Sequence, residues 1–568
     1  MSEPLLAVSS LSVAFGRRAP RHVVSGVSFD VGAGETVALV GESGSGKSVT
    51  ALAIMGLLAP SARVTGGRIV FTGQDCLTLD AEARRRLRGD RIGMIFQEPM
   101  TSLNPVLPIG RQMTEALELH RGLDAGAARR LAVAMLDRVG IAGAAARLAQ
   151  YPHEFSGGMR QRVMIAAVMA LEPRLVIADE PTTALDVTVQ AQILDLMRGL
   201  AREAGTSLLL ITHDMGVVAE MADRVVVMRQ GQVVETADVG ALFRTPRQPY
   251  TRALLAAVPR IDAPGPDAAS PEGSAQAAPE AFLRLSGIVK AFGSSAWRSS
   301  TATRALDGVT LDVSRGETVA LVGESGSGKS TLGRIAVRLT DPDAGRILID
   351  GEDVTRLAGA RLRAARAKVQ FVFQDPYASL DPRFTIARIL AEPLQVQGRL
   401  GRGEIRERVA SLIERVGLPA GAAARLPHEF SGGQRQRIAI ARALAVDPAV
   451  VVADEPTSAL DVSVQARILD LLADLQRERS LGLLFITHDL AVVRKVAHRV
   501  AVMRAGRILE IGPAADVLDA PCHPYTRALL SAAPVPDPSL RARTRIVCPP
   551  DAPSGPLRPV SALHWVAS

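Results

Sequence analysis

Short apolar runs alternate with amphipathic stretches along both halves of this sequence. The apolar runs, bounded by turn residues, lie at 36–40, 175–178 and 208–211 and again at 318–322, 450–453 and 483–486. Runs of this kind are typical of buried parallel strands. Between them lie stretches with helical periodicity, such as residues 161–171. The alternation predicts an α/β fold in which helices cover both faces of a parallel sheet.

The whole pattern occurs twice. Residues 34–48 and 316–330 both read GETVALVGESGSGKS, so fifteen residues are repeated without change. These segments are 282 positions apart, whereas the matched pairs Ser156/Ser431 and Asp179/Asp454 are 275 positions apart. The second half has therefore lost seven residues between the two motifs, and the chain consists of two copies of one domain.

Composition divides the chain into four segments. We assign residues 1–258 to a first domain, 259–280 to a linker, 281–532 to a second domain and 533–568 to a C-terminal tail. The linker is rich in Pro, Ala, Gly and Ser and lacks hydrophobic periodicity; as a flexible coil it spans about 25 Å root-mean-square. The tail is again rich in proline, and we expect it to be loosely ordered.

The hydrophobic content of the chain bears on its core, on membrane spans and on its cellular compartment. Hydrophobic residues make up 47% of the 568 positions and the mean hydropathy is +0.17, so each half can bury a sizeable core. No apolar run approaches the roughly 18 residues of a membrane span. The first ten residues, MSEPLLAVSS, lack a basic region and a long apolar stretch. We therefore expect no membrane span, no signal peptide and a cytoplasmic compartment.

Charge and cysteine content exclude several classes of protein. A net charge of +8 would suit nucleic acid or an anionic membrane surface, but aromatic residues are only 3%, which leaves little for base stacking. The basic residues are dispersed among acidic ones, as on ordinary solvated surfaces. Three cysteines, Cys76, Cys522 and Cys548, are too few and too scattered for a disulfide framework or a zinc site. We expect free thiols and no bound nucleic acid.

Each repeated segment contains the pattern G-x-x-x-x-G-K-S directly after an apolar run. Its glycines let successive backbone N–H groups turn toward one ligand, and the helix that follows adds partial positive charge at its N-terminus. The pattern predicts a nucleotide site in which the lysine reaches the β- and γ-phosphates and the last serine binds Mg²⁺. The residues concerned are Gly41, Glu42, Ser43, Gly44, Ser45, Gly46, Lys47 and Ser48, and Gly323, Glu324, Ser325, Gly326, Ser327, Gly328, Lys329 and Ser330.

Two carboxylates followed by proline end an apolar run in each half, as Asp179-Glu180 and as Asp454-Glu455. At a strand end beside a phosphate loop, the first acid would lie near Mg²⁺. The second would lie near the γ-phosphate, where it can accept a proton from attacking water. An acidic helix cap before proline is the other interpretation of either copy alone, and the repetition disfavours it.

Polar residues at other strand ends add to the set. His213 and His488 follow apolar runs in the letters ITHD, where a lone histidine is more often structural than catalytic. Gln97 and Gln374 follow phenylalanine and precede turn residues, so their amides can contact Mg²⁺ or water. Taken alone, either glutamine is uninformative, whereas the surrounding pattern favours a catalytic role for the two histidines.

A serine followed by two glycines opens a helix in each half. The segments read FSGGMRQR and FSGGQRQR, with Ser156, Gly157 and Gly158 in the first and Ser431, Gly432 and Gly433 in the second. An ordinary N-cap is one interpretation of the serine. The unsatisfied N–H groups of such a helix end also form an anion site.

In this order, and twice, these motifs resemble the tandem nucleotide-binding domains of ABC ATPases. The resemblance covers residues 5–530 and includes an A-L-D motif at 184–186 and 459–461. It implies two P-loop domains, each with a RecA-like core and a helical subdomain, that bind ATP and Mg²⁺ and hydrolyse ATP. EPMTSLNP with FSGGMRQRVMIA resembles the first ATP-binding subunit of dipeptide, oligopeptide and nickel importers, and DPYASLDPR with HEFSGGQRQRIAIARAL resembles the second. The segment PYTRALL, at 249–255 and 524–530, is similar to that family's C-terminal extension; a surface helix after a turn is the alternative.

The resemblance implies a head-to-tail pairing of the halves, with ATP between the phosphate loop of one and the SGG segment of the other. Phe15 and Phe292 occupy the family's adenine-stacking position, although each is equally compatible with a core and the second precedes an insertion at 293–304. The first site would contain the loop 41–48, Gln97, Asp179, Glu180 and His213, closed by 431–433; the second would contain the loop 323–330, Gln374, Asp454, Glu455 and His488, closed by 156–158. The Mg²⁺ ligands would be Ser48, Gln97 and Asp179 in one site and Ser330, Gln374 and Asp454 in the other.

The implied function is ATP hydrolysis that energises import of a peptide-like solute such as a dipeptide, an oligopeptide or glutathione, or of nickel. Other chains would supply two membrane-spanning permease subunits and a solute-binding protein, and this chain would be peripheral on the cytoplasmic face of the inner membrane. The loops after Gln97 and Gln374 would face the permeases, unless they are merely turns. The alternative is a soluble tandem ABC ATPase acting on ribosomes or nucleic acid, but the linker here is not the long charged helical arm of ribosome-acting members. Some relatives carry a cysteine cluster after PYTRALL; only Cys522 and Cys548 remain here, so we expect no iron–sulfur or metal site there.

Overall fold

The computed structural model describes residues 3–16, 20–98, 102–183, 185–263, 265–266, 281–293, 303–458, 460–541, 543–549 and 551–568. Most of the expected linker lies outside the described residues, as do Met100 and the alanines at positions 184 and 459 of the two A-L-D motifs.

The first half folds into two sheets. Its strands are β1 (Leu6–Phe15), β2 (Arg21–Val31), β3 (Thr36–Val40), β4 (Ala62–Phe71), β5 (Gln74–Asp75), β6 (Ile92–Ile95), β7 (Leu175–Asp179), β8 (Ser207–Ile211), β9 (Arg224–Arg229) and β10 (Gln232–Asp238). An antiparallel sheet has the order β2-β1-β4-β5, and a larger sheet has the order β10-β9-β3-β8-β7-β6. In the larger sheet, all neighbours except β9 and β10 run parallel. The carboxyl ends of β3, β7 and β8 therefore meet at one edge.

Helices of the first half cover the larger sheet and form a separate helical layer. They are Lys47–Met55, Ala81–Asp90, Ile109–Arg121, Ala125–Arg138, Ala144–Arg147, Gly157–Met169, Val187–Ala204, Met215–Met221, Val239–Arg244 and Pro249–Ala256. The apolar faces of several of them share one buried cluster, which contains Ile109, Met113, Leu136 and Val163. This cluster places the helix that begins after Ser156 beside the parallel sheet.

The second half repeats this plan. Its strands are β11 (Leu283–Phe292), β12 (Thr303–Val313), β13 (Thr318–Val322), β14 (Ala344–Ile349), β15 (Glu352–Asp353), β16 (Val369–Val372), β17 (Val450–Asp454), β18 (Gly482–Ile486), β19 (Arg499–Arg504), β20 (Arg507–Pro513), β21 (Leu557–Pro559) and β22 (Trp565–Ala567). Its helices are Lys329–Ala336, Gly359–Lys368, Pro376–Ser379, Ile386–Gln397, Arg402–Arg415, Gly432–Leu444, Val462–Arg479, Leu490–Val496, Ala514–Asp519 and Pro524–Ala532. The sheets have the orders β12-β11-β14-β15 and β16-β17-β18-β13-β19-β20-β22-β21.

The tandem α/β fold predicted from the sequence is confirmed. Each apolar run that the sequence analysis assigned to a strand is a strand of the larger sheet, and strands β3, β7 and β8 are almost wholly buried, as expected for a sheet covered on both faces. The antiparallel four-stranded sheet of each half was not anticipated. Of the helices in the described ranges, none is both long and apolar enough to cross a bilayer.

The C-terminal tail differs from the loosely ordered segment that we expected. Its strand β22 pairs with β20 through Glu510 opposite Val566 and Ile511 opposite Trp565, which extends the second sheet. Upstream of this hairpin, Arg541 donates to the carbonyl of Met221 at 2.9 Å and to the carboxylate of Asp223 at 2.9 Å. The tail is ordered because backbone pairing with one half and ion pairs with the other satisfy its polar groups.

A second arginine of the tail also contacts the first half. Arg545 donates to the carbonyl of Ala191 at 2.8 Å and pairs with the carboxylates of Asp195 and Glu220. The side chains of Arg545 and Glu220 are only 18% and 10% exposed. The tail thus connects the second half to two helices of the first half, Val187–Ala204 and Met215–Met221.

Candidate nucleotide sites

The two phosphate loops lie between a buried strand and a helix in both halves. Gly46 and Gly328 precede the helices with φ of 98° and 105°, a left-handed conformation that favours glycine, and neither helix has a side-chain cap. A Cβ on Gly41 would lie 2.1 Å from the carbonyl oxygen of Met228, so the loop has no room for a side chain there. The uncapped backbone N–H groups at these helix starts are free to bind an anion.

The lysine of each loop hydrogen-bonds to backbone carbonyls of its own loop. We expect it to turn to a phosphate group when nucleotide binds. The Nζ atom of Lys47 donates to the carbonyls of Gly41 and Glu42 at 2.7 and 3.0 Å, and Lys329 makes the equivalent bonds at 2.8 Å each. Burial lowers the pKa of Lys47, opposed by the nearby carboxylates, Glu180 first among them. The buried Oγ of Ser45 has no hydrogen-bond partner among the described residues. A phosphate group fits this arrangement because it would satisfy the hydroxyl, the uncapped N–H groups and the lysine together.

The last serine of each loop contacts the first carboxylate of the same half. The hydroxyl of Ser48 donates to Asp179 at 3.1 Å, and that of Ser330 donates to Asp454 at 2.9 Å. Burial raises the pKa of both aspartates, and the serine hydrogen bonds oppose that effect. A hydroxyl and a buried carboxylate are oxygen ligands that suit Mg²⁺, which would also stabilise the carboxylate charge. The residues present therefore fit a magnesium ion.

The second carboxylate is the centre of a hydrogen-bonded group. Glu180 accepts from Nε2 of Gln97 at 2.8 Å and from the hydroxyl of Thr183 at 2.9 Å, and Nδ1 of His213 lies 3.1 Å from its other oxygen. Burial raises the pKa of Glu180, but the hydrogen bond and charge of His213 outweigh it, so the pKa lies below its usual value. Burial lowers the pKa of His213, and Glu180 reverses this so that the pKa lies above normal. The charged form of the pair is favoured.

The second half repeats this group around Glu455. Nε2 of Gln374 donates to it at 2.8 Å, and Nδ1 of His488 lies 3.2 Å away. Both glutamates have positive φ, 47° at Glu180 and 46° at Glu455, which non-glycine residues rarely adopt. Their N–H groups donate to the neighbouring strand at Ile211 and Ile486. The structure therefore brings the glutamine, glutamate and histidine of each half together.

The SGG segments act locally as helix starts. Ser156 and Ser431 each accept a bond from the backbone N–H three residues later at 3.4 Å. Added Cβ atoms on Gly158 and Gly433 would lie 2.7 and 2.2 Å from a valine of the next long helix, so these glycines permit close helix packing. Within the described residues, neither serine hydrogen-bonds to a phosphate loop. The N-cap interpretation therefore holds, and the anion-binding role stays a prediction.

Contacts between the halves involve the end of the second A-L-D motif, whose aspartate the sequence analysis noted but did not include among the site residues. Asp461 accepts a bond from the backbone N–H of Ser43 in the opposite phosphate loop at 2.5 Å, and Ser463 donates to Glu42 at 2.6 Å. Its counterpart Asp186 instead caps its own helix. A cavity of about 220 Å³ between the halves is lined by both His213 and His488. The two loops therefore differ in their partners although their sequences are identical.

The PYTRALL segments contribute a residue that sequence reasoning missed. The backbone N–H of Glu42 donates to the hydroxyl of Tyr250 at 3.3 Å, and that of Glu324 donates to Tyr525 at 3.1 Å. The guanidinium groups of Arg229 and Arg504 lie 4.9 and 5.0 Å from the two ring centres. The only signal in the sequence was the exact repetition of the segment, because the fold alone brings it to the phosphate loop.

The two phenylalanines assigned to adenine stacking lie at the ends of equivalent strands. Phe15 ends β1 and is partly buried, whereas Phe292 ends β11 and is 50% exposed, with the ammonium of Lys290 5.6 Å from its ring centre. An exposed ring at a strand end is available for stacking on a nucleotide base. Both assignments remain predictions.

Comparison with known proteins agrees with this geometry. The ABC transporter family matches residues 24–183 and 306–458, and the family described as the C-terminal region of oligopeptide/dipeptide transporters matches 234–283 and 509–554. Glutathione import ATP-binding protein GsiA of Pectobacterium atrosepticum is 49% identical, over 99% of this chain and 96% of its own length. GsiA of Escherichia coli K12 is 49% identical over 97% and 93%. A solved dimeric ATP-binding cassette in a post-hydrolysis state with ADP and Pi is 32% identical, with a TM-score of 0.38, and covers 41% of this chain and 98% of its own. The chain therefore belongs to the ABC transporter family of ATP-binding proteins, as a fusion of two ATPase units that each carry the oligopeptide/dipeptide transporter C-terminal region.

Proposed function

We propose that this chain is the ATP-hydrolysing subunit of an importer for glutathione or a similar small peptide. The observation that carries the proposal is that each half holds a full set of ATPase residues followed by the transporter-specific C-terminal region. The relatives named above import glutathione. The alternative, a soluble tandem ATPase acting on ribosomes or nucleic acid, has no explanation for the transporter regions at 234–283 and 509–554.

We infer the roles of the site residues from their contacts. The loop N–H groups and Lys47 would hold the phosphates, while Ser48 and Asp179 would hold Mg²⁺, which neutralises phosphate charge when it is bound. Glu180, kept ionised by its partners, would accept a proton from water. His213 and Gln97 orient that carboxylate by hydrogen bonds to its two oxygens. The same roles fall to the matched residues of the second half, and we propose 1–258 and 281–532 as the two domains.

Replacement of the two glutamates tests this assignment. Glu180→Gln and Glu455→Gln keep the size of the side chain but remove the base, which commonly costs about 10²- to 10⁴-fold in rate. Single-turnover ATP hydrolysis should fall in each variant and ATP should stay bound. The control is Glu478→Gln, an exposed glutamate whose partner is Arg415. Wild-type hydrolysis in both halves of either glutamate variant would refute the proposed role.

We also propose that ATP lies between the halves in a head-to-tail pairing. The contact of Asp461 with Ser43 supports this, since a residue downstream of one SGG helix reaches the loop of the opposite half. Ser431→Arg should then weaken the site containing Lys47 and spare the site containing Lys329. Photolabelling with an ATP analogue, followed by cleavage between the halves, resolves the two sites. Loss confined to the half that carries the variant would contradict head-to-tail pairing.

The partners that we propose are two permease subunits and a solute-binding protein, with this chain peripheral on the cytoplasmic face of the inner membrane. A groove of about 320 Å³ beside the segment that contains Gln374 supports a docking role. Its lining is mostly apolar and includes Phe373, which is 37% exposed, and Val396, which is 63% exposed. The charged side chains of Arg366, Glu392 and Arg442 also line it. Tyr377, 54% exposed, follows on the same segment.

Charge substitution on this surface tests the docking. The test combines Tyr377→Arg with Met100→Arg at the matched loop of the first half. The double variant should lose glutathione uptake and recovery of the chain in membranes. Basal ATP hydrolysis of the purified chain should stay near normal. Val547→Arg, at an 84% exposed position of the tail, is the matched control. Unchanged uptake and membrane recovery would show that these loops do not face a permease.

A further inference from the structure

Two side chains of the second half and one of the C-terminal tail converge outside the nucleotide sites. They are Glu510 on β20, Cys522 before the helix Pro524–Ala532 and His564 directly before β22. One ligand atom of each lies within 4.8 Å of the others, and Nε2 of His564 is 2.8 Å from a carboxylate oxygen of Glu510. Glu510 and His564 are 0% and 4% exposed. Among the described residues this is the one group of such side chains close enough to share an ion.

The first half provides a natural comparison because it contains the same glutamate in a different setting. Glu235 accepts bonds from the backbone N–H groups of Arg247 and Gln248, as Glu510 does from those of Cys522 and His523. The positive charge of Arg247 also acts on Glu235. In the second half that position is a cysteine, and the buried carboxylate of Glu510 instead has the imidazole of His564 as its partner at 2.8 Å. Buried charges in proteins are paired or coordinate metals.

A glycine on β20 makes room for the histidine. An added Cβ on Gly512 would lie 3.0 Å from the ring of His564, which is tighter than ordinary van der Waals contact. The matched residue of the first half is Ala237. Two positions therefore differ between the halves: Cys522 replaces the arginine, and Gly512 replaces the alanine. Both changes favour a site that includes His564 from the C-terminal hairpin.

Contrary to the expectation from cysteine spacing, which takes no account of the glutamate and histidine, we propose that Glu510, Cys522 and His564 bind one Zn²⁺ ion that anchors the C-terminal hairpin to the second half. Carboxylate, thiolate and imidazole are the ligands that zinc takes in proteins, at about 2.0 to 2.3 Å. Four-coordinate zinc needs one more ligand, and a water molecule can supply it because Cys522 is partly exposed. Two ligand atoms about 2.0 Å from a tetrahedral ion lie about 3.3 Å apart, so the 2.8 Å contact between His564 and Glu510 would lengthen by about half an ångström to admit the ion.

The proposal is tested on the purified full chain, with metal removed by a chelator and replaced by Co²⁺ or Zn²⁺ alone. Co²⁺ titration should saturate at one ion per chain in the absence of nucleotide, with a near-ultraviolet sulfur-to-cobalt charge-transfer band. Cys522→Ser should abolish that band, and His564→Gln should weaken binding at least tenfold. Gly512→Ala should weaken binding without removing a ligand, since the methyl group displaces the histidine ring.

Controls separate this site from other thiols and from the nucleotide sites. Cys548→Ser and Cys76→Ser should keep the charge-transfer band, because neither thiol belongs to the cluster. Zn²⁺ should raise the unfolding temperature of the wild type and of Cys548→Ser but not of Cys522→Ser. Absence of the band in the folded wild type, or a band that survives Cys522→Ser, would overturn the proposal and leave a hydrogen-bonded glutamate–histidine pair. These readouts do not depend on ATP hydrolysis.

Discussion

Removal of one hydroxyl tests whether the transporter-specific C-terminal region supports the phosphate loop. In Tyr525→Phe, the ring keeps its contact with Arg504 while the N–H of Glu324 loses its partner. Tyr525 is only 2% exposed, so water cannot easily replace the hydroxyl. A buried donor without a partner costs about 1–3 kcal/mol.

That cost converts directly into nucleotide affinity, because ATP binding requires the loop conformation that the bond stabilises. At about 1.4 kcal/mol per tenfold change, a loss of about 1–3 kcal/mol corresponds to roughly 5- to 140-fold weaker ATP binding at the second site. Tyr250→Phe should cost less, about threefold, since its hydroxyl is partly exposed, the bond is 3.3 Å long and water can substitute. Turnover at saturating ATP should change little in both variants.

Site-resolved titration with a photoreactive ATP analogue measures the two affinities separately. Tyr151→Phe is the control, because it removes the hydroxyl of a tyrosine that is 38% exposed and outside the loops. The reasoning would be refuted if Tyr525→Phe left ATP binding at the second site within twofold of the wild type. Equal weakening at both sites would also refute it, since the hydrogen bond lies within one half.

Two further predictions concern packing and the tail. Gly433→Ala should lower the free energy of unfolding, measured by urea titration, by about 1–3 kcal/mol, because the new Cβ would lie 2.2 Å from Val464. The control is the neighbouring Gly432→Ala, whose nearest atom is 3.7 Å away, and its free energy of unfolding should stay within about 0.5 kcal/mol of the wild type. Equal effects of the two substitutions would contradict the close packing. Arg545→Ala removes a largely buried ion pair between the tail and the first half and should weaken association of the halves by about 2–4 kcal/mol. The association is measured by gel filtration after the chain has been cleaved at a protease site introduced within 267–280. Arg477→Ala, which breaks an exposed pair within the second half, should have almost no effect, and retained association in Arg545→Ala would show that the tail does not hold the halves together.

Local sequence determined the repeated chemistry of this protein. Strands β3 and β13 and the phosphate loops that follow them can be read from an apolar run, glycines and a helix start. All of these signals lie within about 20 residues of sequence. The pairs Ser48–Asp179 and Glu180–His213 were also predictable, since parallel strands must end at the same edge of a sheet. The same reasoning applied to both halves because their motifs are the same.

Only the tertiary structure decided what differs between the halves. Identical phosphate loops receive different partners because Asp461 reaches Ser43 while Asp186 caps its own helix. Proline-rich composition predicted a loose tail, but composition cannot show that Arg545 will meet a buried carboxylate some 300 positions away. Tyr525 and His564 likewise acquire their roles from partners on other strands. Contacts between segments so far apart depend on how both domains pack, and no pattern within a short window of the sequence records them.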